Sequence, residues 1–137
     1  GKVVSYEVRP DMQALAIKNL EKHGVPAGVV EFKLRDIGQG FDETEADAFF
    51  LDVSQPWEYT AQVAACLRSG GFFATLVPTM NQVIPTLAAL EGGPFGLIEL
   101  EEILLRHYKA VSTRVLPADR MVAHTAYLIF ARKLAEG

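Results

Sequence analysis

The stretch Ala46-Asp-Ala-Phe-Phe-Leu-Asp52 decides how this chain is read. Its core, Ala48-Phe-Phe-Leu51, is apolar on both faces, as expected of a parallel strand covered by helices on each side, and this predicts a place in mid-sheet. The run ends in a carboxylate. Two earlier runs have the same form: Lys2-Val-Val-Ser-Tyr6 leads into Glu7, and Val29-Val-Glu-Phe-Lys-Leu-Arg35 leads into Asp36. In an open parallel sheet the carboxyl ends of the strands share one rim, and ligands bind in the crevice outside it. Glu7, Asp36 and Asp52 are therefore expected to face one pocket.

The segments between these runs read as crossovers. Met12, Leu15, Ala16 and Leu20 recur at helical spacing, with Pro10 and Asp11 suited to a first turn and His23-Gly24 to an end. The polar, glycine-bearing stretch from Ile37 to Glu45 reads as a loop over the strand ends. Trp57 to Arg68 has helical spacing through Val63, Ala64 and Leu67 and is expected to close at Gly70-Gly71. Phe72 to Val77 follows as a buried strand, and Thr79 can cap a helix carrying Val83, Leu87 and Leu90 as far as Gly92-Gly93-Pro94. After Pro94 the rhythm changes. Leu97 to Tyr108 and Met121 to Arg132 both read as strands, and the link from Lys109 to Arg120, with Pro117, lacks a helix. Parallel neighbours need a longer connection, so these two strands are expected to pair antiparallel. The fold class is α/β, a mostly parallel sheet with one antiparallel strand near the C-terminus.

At 137 residues and 50% apolar content the chain suits one domain with a real core. No apolar run approaches the roughly 20 residues needed to span a bilayer, and no basic segment leads into an apolar stretch with a cleavage site. The expectation is a cytoplasmic protein with no membrane partner. The lone cysteine, Cys66, excludes an internal disulfide framework, and three scattered histidines offer no metal-ligand spacing, so no metal is expected. A net charge of −4 and a pI of about 5.3 argue against a surface wholly given to nucleic acid. A local basic patch remains open: Arg106, His107, Lys109, Arg114, Arg120 and His124 cluster in the last third, as solvated charges or as contacts to RNA phosphates.

The run Leu51-Asp-Val-Ser-Gln-Pro-Trp-Glu58 carries the most specific chemistry. It sets an acid at a strand's end and then a proline-held turn with an aromatic, where a flat base could lie between ring and carboxylate. The plainer reading is an aspartate in an Asx turn and a tryptophan packing at a helix start. The segment resembles the Asp-x-Pro-x-Pro-Trp motif of the tRNA adenine-N1 methyltransferases, with Ser54 where that motif frequently has its first proline. The resemblance extends through Tyr6-Glu-Val-Arg-Pro-Asp-Met12, Arg35-Asp-Ile-Gly-Gln-Gly40, Gly70-Gly71, Pro78-Thr-Met-Asn-Gln82 and Arg120-Met-Val-Ala-His-Thr-Ala-Tyr-Leu-Ile-Phe-Ala-Arg132.

This resemblance implies a Rossmann-like class I S-adenosylmethionine-dependent methyltransferase domain, N-terminally incomplete. Residues 1–137 would be the C-terminal part of the catalytic domain, with the first strand, the glycine-rich cofactor loop and a small β domain upstream; alone, such a piece is expected to be inactive. The implied reaction is methylation of adenine N1 in the tRNA T-loop, at position 58, by an enzyme that is typically a homotetramer. Glu7 would bond the cofactor ribose, and a carboxylate accepts from two vicinal hydroxyls at once. Asp36 would read the cofactor adenine's amino group, with Ile37 and Met12 in apolar contact with the ring. By itself Met12 reads as core. Asp52 would be catalytic, beside both cofactor and target base: the methylated ring becomes cationic, and a fixed carboxylate stabilises that charge and orients N1. Trp57 and Tyr59 could stack on the extruded base, and Arg114, Arg120 and His124 are the basic residues singled out for RNA. The rival readings are a small-molecule or protein methyltransferase, a nicotinamide dehydrogenase using Glu7 on the ribose, and a non-catalytic tRNA-binding partner subunit.

Overall fold

Val3–Glu7 (β1) and Val30–Leu34 (β2) lie side by side and parallel, in register from Val3 opposite Val30 to Glu7 opposite Leu34. The connecting helix, α1 (Pro10–Lys22), starts at a proline whose missing N–H has no intrahelical partner to lose. It ends at His23, with Gly24 at φ +71°, a left-handed turn that costs glycine nothing. These elements belong to the first of two compact units, residues 1–41; the second begins at Asp42. The computed structural model describes residues 1–121 and 124–135.

The second unit contains β3 (Ala46–Leu51), α2 (Thr60–Cys66), β4 (Leu67–Val77), α3 (Met80–Glu91), β5 (Phe95–Glu102), β6 (Tyr108–Lys109), β7 (Leu116–Pro117) and β8 (Tyr127–Lys133). β3, β4, β8 and β5 form one sheet in that order. β3 and β4 are parallel, and β8 runs antiparallel to both its neighbours. Three strands therefore share a direction and the last one in sequence is reversed between two of them, in agreement with the sequence reading. β6 and β7 make a short antiparallel ladder of their own within the helix-free link.

The core lies where the helices meet this sheet. α2 packs on β4, and α3 packs on β4, β5 and β8. Val63, Leu67, Phe73, Val77, Leu90 and Ile129 are all at most 1% exposed. Cys66, at the end of α2, is buried as well, and that burial pushes its thiol up from the usual range.

Four sequence expectations need correction. β3 is an end strand of its sheet instead of a central one, and Phe50 is 61% exposed although the run is apolar on both faces. Gly70-Gly71 does not close a helix: α2 stops at Cys66 and the glycines lie inside β4. There they absorb a bulge, since Ala46 pairs with Leu67 and Ala48 already with Phe72. Gly70 has φ +73°, and a Cβ on Gly71 would come within 2.9 Å of the Arg68 carbonyl. The strand expected over Leu97 to Tyr108 runs instead from Phe95 to Glu102, with its own bulge between Gly96 and Glu99 and Leu97 at φ +50°. The strand expected over Met121 to Arg132 pairs only from Tyr127 on; residues 122 and 123 lie outside the described residues. No helix among the described residues is long and apolar enough to cross a membrane.

Candidate functional site

In the first unit, the carboxyl ends of β1 and β2 bring Glu7 and Asp36 to the same side of a parallel pair. The Arg35 backbone N–H donates to the Glu7 carbonyl at 2.9 Å, which continues the ladder to the residue before Asp36. Glu7 is half-buried, and its Oε1 accepts the backbone N–H groups of Val8 at 2.8 Å and Arg9 at 2.9 Å. These fix the carboxylate at the start of α1. Among the described residues no donor reaches its Oε2. Asp36 is exposed and starts the 3-10 turn Ile37–Gln39, its Oδ1 accepting the Gly38 N–H at 2.7 Å. Its second oxygen likewise meets no donor among the described residues.

Beside Asp36 opens a cavity of about 310 Å³ lined by Val8, Leu34, Arg35, Asp36 and Gln39. Two apolar residues, an arginine, an acid and an amide bound it, so apolar surface and a hydrogen-bond acceptor lie side by side. Ile37, half-buried in the turn, and Met12, 36% exposed on α1, are not among the lining residues. The loop over this cavity is tied by a residue the sequence reading passed over. Arg35 donates to the Gly40 carbonyl at 2.8 Å and to the Tyr6 hydroxyl at 3.2 Å, while Lys33 reaches the same hydroxyl at 3.3 Å. The signal was present in the register: Lys33 stands opposite Tyr6, and Arg35 follows on the same face two residues on.

In the second unit Asp52 follows β3 directly and is exposed. The backbone that presents it is held from below, because the buried Thr75 donates its hydroxyl to the Leu51 carbonyl at 2.6 Å. A 3-10 turn, Pro56–Glu58, follows, with Pro56 buried and Trp57 and Tyr59 half-buried. Thr60 Oγ1 donates to the Trp57 carbonyl at 3.3 Å. The loop between Asp52 and this turn is fastened from α3: Gln82 Nε2 donates to the Ser54 carbonyl at 2.9 Å. Thr79 Oγ1 donates to Gln82 Oε1 at 2.7 Å, which turns the amide so that its NH2 faces Ser54. Thr79 is thus the N-cap residue by position, yet its side chain caps no backbone N–H.

The basic residues do not behave alike. Arg106, Arg114 and Arg120 are exposed, and no carboxylate among the described residues lies within ion-pair reach of them. Lys109 is paired with Asp119 at 2.6 Å. His124 is engaged on both ring nitrogens, Nε2 at 2.8 Å from the Pro78 carbonyl and Nδ1 at 2.5 Å from Glu102 Oε1. The Pro78 carbonyl, and then the Glu102 carboxylate, raise its pKa above the ordinary histidine value. Glu102 did not stand out in the sequence, and Gln82 did so only within the Pro78–Gln82 stretch of the resemblance; their contacts were hidden because the partners lie 22 and 28 residues away.

A family model described as "tRNA methyltransferase complex GCD14 subunit" matches residues 1–120. The tRNA (adenine(57)-N(1)/adenine(58)-N(1))-methyltransferase TrmI of Methanocaldococcus jannaschii is 27% identical over 157 residues, covering 96% of this chain and 56% of that protein. A tRNA (adenine(58)-N(1))-methyltransferase TrmI of Thermus thermophilus is 29% identical over 134 residues, covering 97% and 52%. Among solved structures, one described as a SAM-dependent O-methyltransferase from Thermotoga maritima is 50% identical with a TM-score of 0.94, covering 100% of this chain and 51% of that one. The tRNA (m1A58) methyltransferase TrmI from Aquifex aeolicus is 41% identical with a TM-score of 0.89, covering 99% and 55%. The chain spans about half the length of the relatives it matches.

Proposed function

Because the chain belongs to the tRNA methyltransferase family described by its GCD14 subunit and has a class I methyltransferase fold, we propose that it forms the C-terminal part of an S-adenosylmethionine-dependent enzyme that methylates N1 of adenine 58 in tRNA. The observation that carries this reading is the Asp52 to Trp57 segment, an exposed acid at a strand end followed by a buried-proline turn that presents an aromatic.

The first unit offers what the cofactor's nucleoside needs. Glu7 Oε2 would accept from the ribose hydroxyls, and Asp36 from the adenine amino group over the Val8 and Leu34 side chains. S-adenosylmethionine, when bound, supplies an electrophilic methyl group. Asp52 beside the exocyclic amine of the target adenine stabilises the positive charge that grows on the ring and holds N1 in line. A neutral lone pair needs no strong base, so Asp52 works as a carboxylate. Trp57 and Tyr59 would receive the face of the extruded base, and the exposed Arg114 and Arg120 would meet RNA phosphates. The exposed Leu97, Ile103, Leu105 and Val115 favour burial in a homo-oligomer, a tetramer in this reading.

The likeness to the protein described as an O-methyltransferase, at 50% identity, supports a second reading in which an oxygen is the acceptor. The two are separated by the product. Full-length protein incubated with tRNA and isotopically labelled methyl donor, followed by digestion to nucleosides and mass spectrometry, should yield labelled 1-methyladenosine and lose it in Asp52→Ala. Label found only in O-methylated products would overturn the adenine-N1 reading.

A further inference from the structure

His124 precedes β8 and touches the ends of the two strands between which β8 lies. Pro78 follows β4 and Glu102 closes β5, and both present acceptors to the ring, a carbonyl oxygen to Nε2 and a carboxylate oxygen to Nδ1. A neutral imidazole has one N–H and one lone pair. It could satisfy one of these contacts and would set a lone pair against an acceptor in the other. Two short contacts to two acceptors call for two donors, which only the doubly protonated ring supplies. Tyr127 of β8 also packs on the ring, with centroids 4.5 Å apart. The carboxylate that faces His124 is Glu102.

Pro78 is the first residue of the segment Pro78-Thr-Met-Asn-Gln82, which carries the chain into α3. Within it Thr79 orients the Gln82 amide, and that amide is bonded to the Ser54 carbonyl, two residues beyond Asp52. A chain of contacts therefore runs from the end of β5 through His124 to Pro78, along five residues of backbone, and through Gln82 to the loop that presents Asp52 and Trp57. All of it lies within the second unit.

We propose that His124, as an imidazolium bridging Pro78 and Glu102, is a positioning residue that holds the start of α3 and, through Gln82 and Ser54, the Asp52–Trp57 loop. It acts through other residues and makes no contact with RNA phosphate. The proposal rests on the reading of Asp52 as the group beside the target base, so two of its tests are independent of any substrate.

In the full-length enzyme, long-range proton–nitrogen NMR of the His124 ring should show both nitrogens protonated at pH 7 and a titration midpoint above the ordinary value of about 6.5. Glu102→Gln should lower that midpoint. Amide exchange in residues 53–58 and 79–83 should be slow below the midpoint, faster above it, and fast at every pH in His124→Ala. Turnover on tRNA should fall as pH rises through the same midpoint with KM for the cofactor unchanged, and His124→Ala should sit roughly 10-fold low with that descending limb gone. A ring neutral at pH 7, or loop exchange indifferent to its removal, overturns the proposal. Loss of tRNA binding with unaltered exchange in His124→Ala would overturn it too, in favour of a direct RNA contact. If ring protonation and exchange behave as stated while tRNA is not methylated, the coupling is supported and the adenine-N1 reading fails.

Discussion

Thr75 and Leu51 face each other across the parallel β3–β4 pair, and the Thr75 hydroxyl closes on the Leu51 carbonyl at 2.6 Å with both residues out of reach of water. The bond sits one residue below Asp52, so it fixes the last peptide before the exposed acid. Thr75→Val keeps the shape and removes the donor. It should destabilise the protein by about 1–3 kcal/mol, because a buried carbonyl loses a partner it cannot replace with solvent. Thr75→Ser should recover most of that loss. Urea unfolding of the three proteins checks both values.

Adjacent residues of β4 should respond to truncation very differently. Phe73 is 1% exposed and its ring lies 5.6 Å from that of Phe95, so Phe73→Ala should cost about 3–5 kcal/mol. Phe72 is 53% exposed and its ring is covered by the Arg132 guanidinium at 3.3 Å. Its removal forfeits an exposed cation–π contact of about 0.5–1 kcal/mol and little burial. Comparable losses at both positions would mean that Phe72 is buried in the assembled protein.

The raised His124 pKa has a definite sign in a stability profile. The folded state holds the proton more tightly than the unfolded chain does, so the stabilisation is complete below about pH 6.5 and is lost as pH rises through the folded-state value above it. The melting temperature should decline over that window, and His124→Gln should flatten the decline. A wild-type profile that rises there would refute the assignment.

Glu7 and Asp52 should separate kinetically in the full-length enzyme. On the proposed assignment Glu7 bonds the cofactor ribose equally in ground and transition states, so Glu7→Ala should raise the cofactor dissociation constant with little change in turnover at saturation. Asp52→Ala should lower turnover roughly 100-fold or more while cofactor affinity stays nearly intact. Single-turnover kinetics with separate binding titrations would reveal an exchange of these roles.

Neutralising Arg114 and Arg120 together should weaken tRNA binding and reduce the slope of log affinity against log salt by about one unit per lost phosphate contact. Cofactor affinity should be unaltered. An unchanged salt slope would show that these exposed cations serve some other surface.

The sequence disclosed what is local. β1, β2 and β3 end within a residue or two of the expected positions because apolar runs stop at Glu7, Asp36 and Asp52. The reversal of β8 was legible because no helix could be found between Lys109 and Arg120. Other boundaries were hidden by ambiguity in single residues. Glycine pairs end helices and also absorb bulges, and Gly70-Gly71 does the second. Ile103-Leu-Leu105 continues the apolar pattern of β5, yet the strand stops at Glu102 because its partner strand begins at Tyr127. Pairing, which hydropathy does not encode, sets that limit. The acids of the candidate site were visible as strand ends. What braces them was not: Arg35 on Gly40, Gln82 on Ser54 and His124 between Pro78 and Glu102 are contacts through space with no spacing rule to announce them.

The sequence's one cysteine is the last residue of α2, with 4% of its surface exposed and its thiol held in the protonated form by burial. Alkylating reagents therefore find nothing to react with until the helix lifts away from β4. The thiol is a ready-made clock for that motion, since its modification rate counts openings of one particular helix against the sheet. Within residues 1–137 no second thiol competes, so a reporter cysteine introduced beside Trp57 could carry a fluorophore while Cys66 stays covered.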